Sequence, residues 1–196
     1  GFPLDQTMWR SQVSDLSKDF RVIAPDLRGF GSSSPITGDD TVVTMAEFAD
    51  DLAALLTTLH VKEPVTFCGL SMGGYVALAL WRLDPSLVRG LVLADTRAGA
   101  DDAAGRARRD EQISLARTQG SGAMADQLVQ GMVGKSTRVN RPDVAERAHS
   151  MLAHAPVPGI VGALTAMRDR TDSTPTLVTI AVPTLIVVGD EDVLTP

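Results

Sequence analysis

Residues 65–74 read VTFCGLSMGG, and the serine in that stretch, Ser71, has Gly69 two positions before it and Gly73 two positions after it. The residues leading in are β-branched and apolar, and those leading out, YVALALWRL, are strong helix formers. A strand, a serine between glycines and a helix together make the pattern of a nucleophile elbow. A serine on so sharp a turn sits in a strained backbone conformation. Side chains two residues to either side would crowd it, which Gly69 and Gly73 avoid by having no Cβ. The helix that follows aims unpaired backbone N–H groups at the same spot, where they can stabilise a developing oxyanion. That chemistry is acyl transfer. A phosphate-binding loop would carry more glycines and often a following lysine, whereas Tyr75 and Val76 come next here.

A serine hydroxyl needs a base, and the base needs an acid to orient it. The histidines are His60, His149 and His154. His60 falls at the end of a helix that precedes the elbow strand, and the other two fall on a helix far along the chain. Their spacing of five breaks the i, i+4 zinc pattern, and neither HExxH nor a cysteine partner accompanies them, so no metal site is expected. Cys68 is the only cysteine, which rules out an internal disulfide. Its place inside the elbow strand suggests a small buried hydrophobe.

The elements that must hold Ser71 follow from periodicity. Met8, Trp9, Val13, Leu16 and Phe20 recur at helical spacing. RVIAP at 21–25 reads as a short buried strand, followed by the loop DLRGFGSSSP. Thr44 and Glu47 make a capping-box pattern for a helix running to about His60 with Met45, Phe48, Leu52, Leu55, Leu56 and Leu59 on one face. VTFCG, GLVLAD at 90–95 and TLIVVG at 184–189 are further strands, and Pro85 ends the helix after the elbow. About eighty residues separate the last two strands, too long for an ordinary connection. They read as helices around 101–119, 121–133, 141–155 and 157–170, broken by Gly120, Gly134, Pro142, Pro156 and Pro158. The whole is a mostly parallel α/β sheet with an inserted helical cap: core at 1–96 and 176–196, cap at 97–175. Met124, Leu128, Met132, Met151, Leu152, Leu164 and Met167 give the cap its apolar faces.

With 196 residues, 44% of them hydrophobic, and a mean hydropathy of +0.08, the chain suits a single soluble domain with an insertion. A net charge of −6 excludes nucleic acid and anionic membrane as partners, and the basic run GRARRDEQ is offset by its own acids. No apolar run reaches transmembrane length. The single cysteine fits a reducing, cytoplasmic setting.

The chain resembles the α/β-hydrolase superfamily. Besides the elbow, GFP at 1–3 is similar to the end of the family's HGFP loop, DLRGFGSS to its DxRGxGxS segment, and GDEDVLTP at 189–196 to the stretch carrying the catalytic acid. The resemblance implies that Ser71 is the nucleophile, that the N–H groups of Phe2 and Met72 form the oxyanion hole, and that Asp192 orients a histidine. Asp95, at the end of GLVLAD, is the rival acid; the order serine, acid, histidine and the GDED context favour Asp192. Asp190 and Glu191 read as turn or surface carboxylates. Asp26, Arg28, Gly29 and Gly31 read as structural, the glycines permitting positive φ and an Asp–Arg pair bracing the loop.

The nearest group is that of esterases, lactonases and cofactor-free haloperoxidases, particularly 3-oxoadipate enol-lactonase-like sequences, on LADTRAGAD and GDEDVLTP. The implied activity is serine hydrolysis of a small carboxylic ester or lactone through an acyl-enzyme, with no cofactor. A carbon–carbon bond hydrolase, a haloperoxidase or perhydrolase, and a non-catalytic ligand receptor of the same fold are the alternatives. Arg97, just past GLVLAD, is placed to meet a substrate carboxylate bidentately or to form a salt bridge at the cap hinge. In the family the histidine follows the acid strand by some tens of residues, and one strand precedes the HGFP loop. The expectation is therefore a segment with four of the usual eight strands, the base lying beyond Pro196.

Overall fold

The computed structural model describes residues 1–37 and 43–195; Pro196, the last residue of the GDEDVLTP stretch, lies outside the described residues. After a tight turn at 1–4, a 3-10 turn at Gln6–Trp9 leads into α1 (Arg10–Leu16). This helix is shorter than the spacing of Met8 to Phe20 implied and buries none of its residues, leaving Leu16 and Phe20 exposed. Residues 21–27 then run extended, with no sheet partner among the described residues. RVIAP was expected to be a strand. A run of apolar β-formers becomes one only where a second backbone completes the ladder, and here none does.

α2 (Met45–Thr58) starts on the expected box: Glu47 N–H donates to Thr44 Oγ1 at 3.1 Å and Thr44 N–H to Glu47 Oε2 at 2.8 Å. Its buried face is Met45, Phe48, Ala49, Leu52 and Leu56. β1 (Val65–Leu70), α3 (Met72–Leu83) and β2 (Val88–Ala94) follow. Apolar on nearly every side, α3 belongs in an interior. It lies between the sheet and α2, burying Met72 and every residue from Gly74 to Trp81.

Four longer or shorter helices fill the chain between β2 and the last strand: α4 (Ala103–Met132), α5 (Lys135–Asn140), α6 (Pro142–Ala153) and α7 (Val157–Arg168), with a final turn α8 (Thr174–Leu177). α4 bends at Gly120, whose φ of 80° breaks the helical run at the residue the sequence marked. The short α5 has no counterpart in the sequence reading. α4 packs on both α6 and α7. Buried Ile113, Ala116, Met124, Ile160, Leu164 and Met167 join one core with Phe2, Met72 and Tyr75, while Ala125, Val129 and Leu152 form a second cluster against Leu4. The helices therefore pack on each other and on the elements around Ser71.

β3 (Thr184–Val187) closes a parallel sheet of order β1-β2-β3, with Leu70 beside Ala94 and Ala94 beside Val187. Three of the four expected strands thus form. Cys68 is exposed, not buried as expected: α3 covers the alternate sheet face, where Leu91 and Leu93 are buried. Among the described residues no single helix is long and apolar enough to cross a membrane.

Candidate active site

β1 ends at Leu70, and the chain turns into α3 through Ser71 at φ 51° and ψ −114°. A non-glycine residue held there is strained, and the surrounding hydrogen bonds hold it. Ser71 N–H donates to Ala94 C=O at 2.8 Å, as the last rung of the β1-β2 ladder. Its carbonyl accepts from Gly74 N–H at 2.9 Å and from Thr96 Oγ1 at 2.8 Å. The backbone of Ser71 is fixed on both sides, while no hydrogen bond engages its Oγ among the described residues. Thr96 had no signal in the sequence beyond lying next to Asp95.

Gly69 is required as expected, since a Cβ there would stand 2.3 Å from Gly73 O and 2.7 Å from Gly74 N. Gly73 is not: a Cβ on it meets nothing within 4 Å. The second obligatory glycine is Gly74, where a Cβ would fall 2.3 Å from Thr96 Oγ1. The turn is tight against strand β1 and against the segment leaving β2, so the crowding falls one residue later than the symmetric spacing suggested.

Met72 is the first residue of α3 and its N–H, by helix geometry, has no intrahelical acceptor. Phe2 lies in the turn closed by Leu4 N–H to Gly1 C=O at 2.8 Å, a bond that leaves Phe2 N–H out. That turn abuts the elbow: a Cβ on Gly1 would be 3.0 Å from the Leu70 side chain. Phe2 and Met72 are both buried in the same apolar core.

The two acids converge. Asp95, at φ 42°, follows directly on β2; its N–H donates to Val187 C=O at 2.9 Å and its Oδ1 accepts from Gly189 N–H at 2.8 Å. A Cβ at Gly189 would lie 3.8 Å from Asp95 Oδ1 and 3.9 Å from Asp192 Cβ. Asp192 closes its own loop, accepting from Leu194 N–H at 2.8 Å, Thr195 N–H at 3.1 Å and Thr195 Oγ1 at 2.6 Å. Partial burial pushes its carboxyl up, but these hydrogen bonds outweigh that and hold it below the usual carboxylate range. It is ionised at neutral pH. Partial burial pushes the Cys68 thiol up, outweighing the opposite pull of the Gly1 N-terminus.

Arg97 pairs with Asp101, Nη2 to Oδ1 at 2.7 Å, the hinge alternative of the sequence reading, and its side chain remains 44% exposed. The carboxylate is shared. Arg109 Nε reaches Asp101 Oδ2 at 3.1 Å and Arg170 Nη1 reaches Oδ1 at 2.9 Å, with the Asp101 side chain 1% exposed. Arg170 also donates to Met167 C=O and Gly99 C=O, both at 2.7 Å, and stacks over Tyr75 with 4.2 Å to the ring centroid. Burial alone would raise the Asp101 carboxyl, but Arg109 and Arg170 hold it below its ordinary value.

The expected Asp26–Arg28 pair does not form. Arg28 is drawn across to α2, where it meets Asp51 through Nε and Nη2, both at 2.5 Å. Asp26 instead accepts from Gln6 N–H at 2.6 Å and Ser32 N–H at 2.9 Å, beneath Gly31, while Gly29 and Gly31 take φ values of 84° and 53° as expected. His149 Nε2 pairs with Asp126 at 2.7 Å and His154 Nδ1 with Ser150 C=O at 2.6 Å, while His60, at φ 53°, lies just past α2. No cluster of metal-ligating side chains occurs among the described residues.

Glu191 lies exposed in a turn, as expected, yet it is not without a partner. Its Oε2 accepts from Ser136 N–H at 3.0 Å, at the start of α5.

The family model for the alpha/beta hydrolase fold matches residues 1–196. The chain is 28% identical over 198 residues to 3-oxoadipate enol-lactonase 1 of Acinetobacter baylyi, covering 97% of this chain and 68% of that protein. Among solved structures it is similar to a thermophilic esterase from Thermogutta terrifontis, at TM-score 0.95 and 42% identity over 100% of this chain and 71% of that one. It is also similar to the enol-lactonase from Burkholderia xenovorans, at TM-score 0.85 and 29% identity, over 97% of this chain and 70% of that one. The chain belongs to the α/β-hydrolase fold family.

Proposed function

We propose that this member of the α/β-hydrolase family is a serine hydrolase that cleaves a small carboxylic ester or lactone. The observation that carries it is Ser71 itself, a serine held at φ 51° at the head of α3 with its N–H and C=O both bonded and its hydroxyl unengaged among the described residues. Strain kept at a position that packing does not require is a mark of function. In the reaction, Ser71 Oγ bonds to the substrate carbonyl carbon while a general base, oriented by Asp192, takes its proton. The carbonyl oxygen becomes the oxyanion and is held by the N–H groups of Phe2 and Met72. Collapse of this intermediate breaks the ester bond, the leaving alkoxide takes the proton back, and water attack on the acyl-enzyme returns Ser71. The relatives named lactonase and esterase support the substrate class.

Asp192 is the better acid. It belongs to a closed turn whose hydrogen bonds keep it ionised, whereas Asp95 is occupied in bracing Gly189. Residues 97–175 act as the cap, their apolar core continuous with Phe2 and Met72. Arg97 stands at the cap's origin with one nitrogen on Asp101, and its half-exposed side chain is the contact for a substrate carboxylate. In the full-length protein, Ser71→Ala is expected to abolish turnover of a short-chain nitrophenyl ester and labelling by a fluorophosphonate. Undiminished turnover in that variant overturns the reading, and an unlabelled native protein that still binds ligand identifies a receptor.

A further inference from the structure

The loop that carries Asp192 touches two bodies. On the sheet side it is tied by Gly189 N–H to Asp95 Oδ1 at 2.8 Å. On the helical side Glu191, the residue before Asp192, reaches α5. That helix begins at Gly134, which has no side chain to cap it, and its free Ser136 N–H is taken by Glu191 Oε2 at 3.0 Å and Oε1 at 3.4 Å, from 55 residues away. The seat is built to fit. A Cβ on Gly134 would lie 2.4 Å from Glu191 Oε2 and 3.3 Å from Glu191 Cβ, although the Gly134 φ of −53° is open to any residue. A methyl there would occupy the place of the Glu191 carboxylate and push that flexible side chain off Ser136. A second contact lies alongside, where a Cβ on Gly131 would be 3.3 Å from the Leu194 side chain.

We infer that Glu191 is a positioning residue, which fastens the Asp192 loop to the start of α5 so that the seating of the helices sets the aim of the acid. The inference rests on the serine-hydrolase reading with Asp192 as the acid. Asp192 is closed on itself by Leu194 and Thr195, so the loop moves as a unit. Freed from α5, it keeps its shape and loses its direction. A carboxylate beside the base raises the base's pKa by favouring its charged form. When the carboxylate swings away, the base loses basicity and orientation together.

Three variants of the full-length protein test this, with nitrophenyl ester hydrolysis followed across pH. Glu191→Ala is expected to lower kcat roughly tenfold with KM little changed, less than the hundredfold or so that a full 1 Å misplacement costs, and to move the acid limb of kcat/KM to lower pH. Gly134→Ala leaves Glu191 in the sequence but fills its seat, and is expected to give the same two changes. The two together should cost no more than either alone, because one contact is lost once. Glu191→Gln keeps an oxygen for Ser136 N–H and should recover most of kcat. A fall in thermal stability with the acid limb unmoved, or additive losses in the double variant, overturns the inference. Ser71→Ala in the same assay separates the two readings: if it stays active, the hydrolase reading fails, and if it is dead while the Glu191 variants match the parent, only the positioning role fails.

Discussion

Thr96 and Ser71 are joined by a hydrogen bond of 2.8 Å from the threonine Oγ1 to the serine carbonyl, across the end of the sheet. The same Oγ1 would stand 2.3 Å from a Cβ on Gly74, so one hydroxyl both braces the strained turn and fixes the closest approach of α3.

Replacing Thr96 with valine keeps the β-branched shape and removes the bond. A neutral hydrogen bond of this kind contributes about 1 kcal/mol. We expect a loss of that size in denaturant unfolding, with a several-fold fall in kcat as the turn relaxes. Thr96→Ser, which retains the hydroxyl, should recover most of both.

Gly69 and Gly73 look equivalent in sequence but differ in space. Gly69→Ala drives a methyl to 2.3 Å from Gly73 O, and the backbone of the elbow must shift to admit it. Displacement of the nucleophile on that scale costs on the order of a hundredfold in turnover. Gly73→Ala meets nothing within 4 Å and should change unfolding free energy by less than about 0.5 kcal/mol. Paired melts and fluorophosphonate labelling distinguish the two, and equal damage from both would show that the turn is not held as described.

Asp101→Asn leaves three guanidinium groups facing a neutral amide. Breaking a buried pair by removing one partner costs roughly 3–5 kcal/mol, and here the partner left uncompensated is Arg170, whose side chain is as buried as that of Asp101. The pH dependence has a definite sign. The folded carboxyl is held below its unfolded value of about 3.9, so its stabilisation is present above that value and is lost as pH falls through the folded pKa. The native protein and Asp101→Asn should therefore differ most in urea midpoint near neutrality, with the gap starting to close only below about pH 4. A constant gap down to low pH would assign the loss to packing instead of charge.

Features closed within a few residues were legible in the sequence. Ser71 with Gly69, the Thr44 and Glu47 box and the break at Gly120 each depend on neighbours that the chain itself supplies. What escaped depends on a partner distant in sequence. RVIAP needed another strand, Arg28 chose Asp51 over Asp26 once α2 packed beside it, and Glu191 found Ser136 across 55 residues. Cys68 looked buried because alternation along a strand does not say which sheet face receives a helix. The Arg97–Asp101 pair lies between these cases, since its i, i+4 spacing is visible but its two further arginines are not.

The stretch leaving β2 and the stretch returning toward β3 meet before either reaches the helices. Ser173 N–H donates to Ala98 C=O at 2.9 Å, and Arg170 holds Gly99 and Asp101 together. Residues 103–168 thus depart from and rejoin the sheet through one doorway. A helical insert of different length, grafted between those two points, would inherit the same threshold and leave the register of β2 on β3 untouched. Away from that doorway, the contact between Glu191 and the start of α5 is a further tie that such a graft would have to replace.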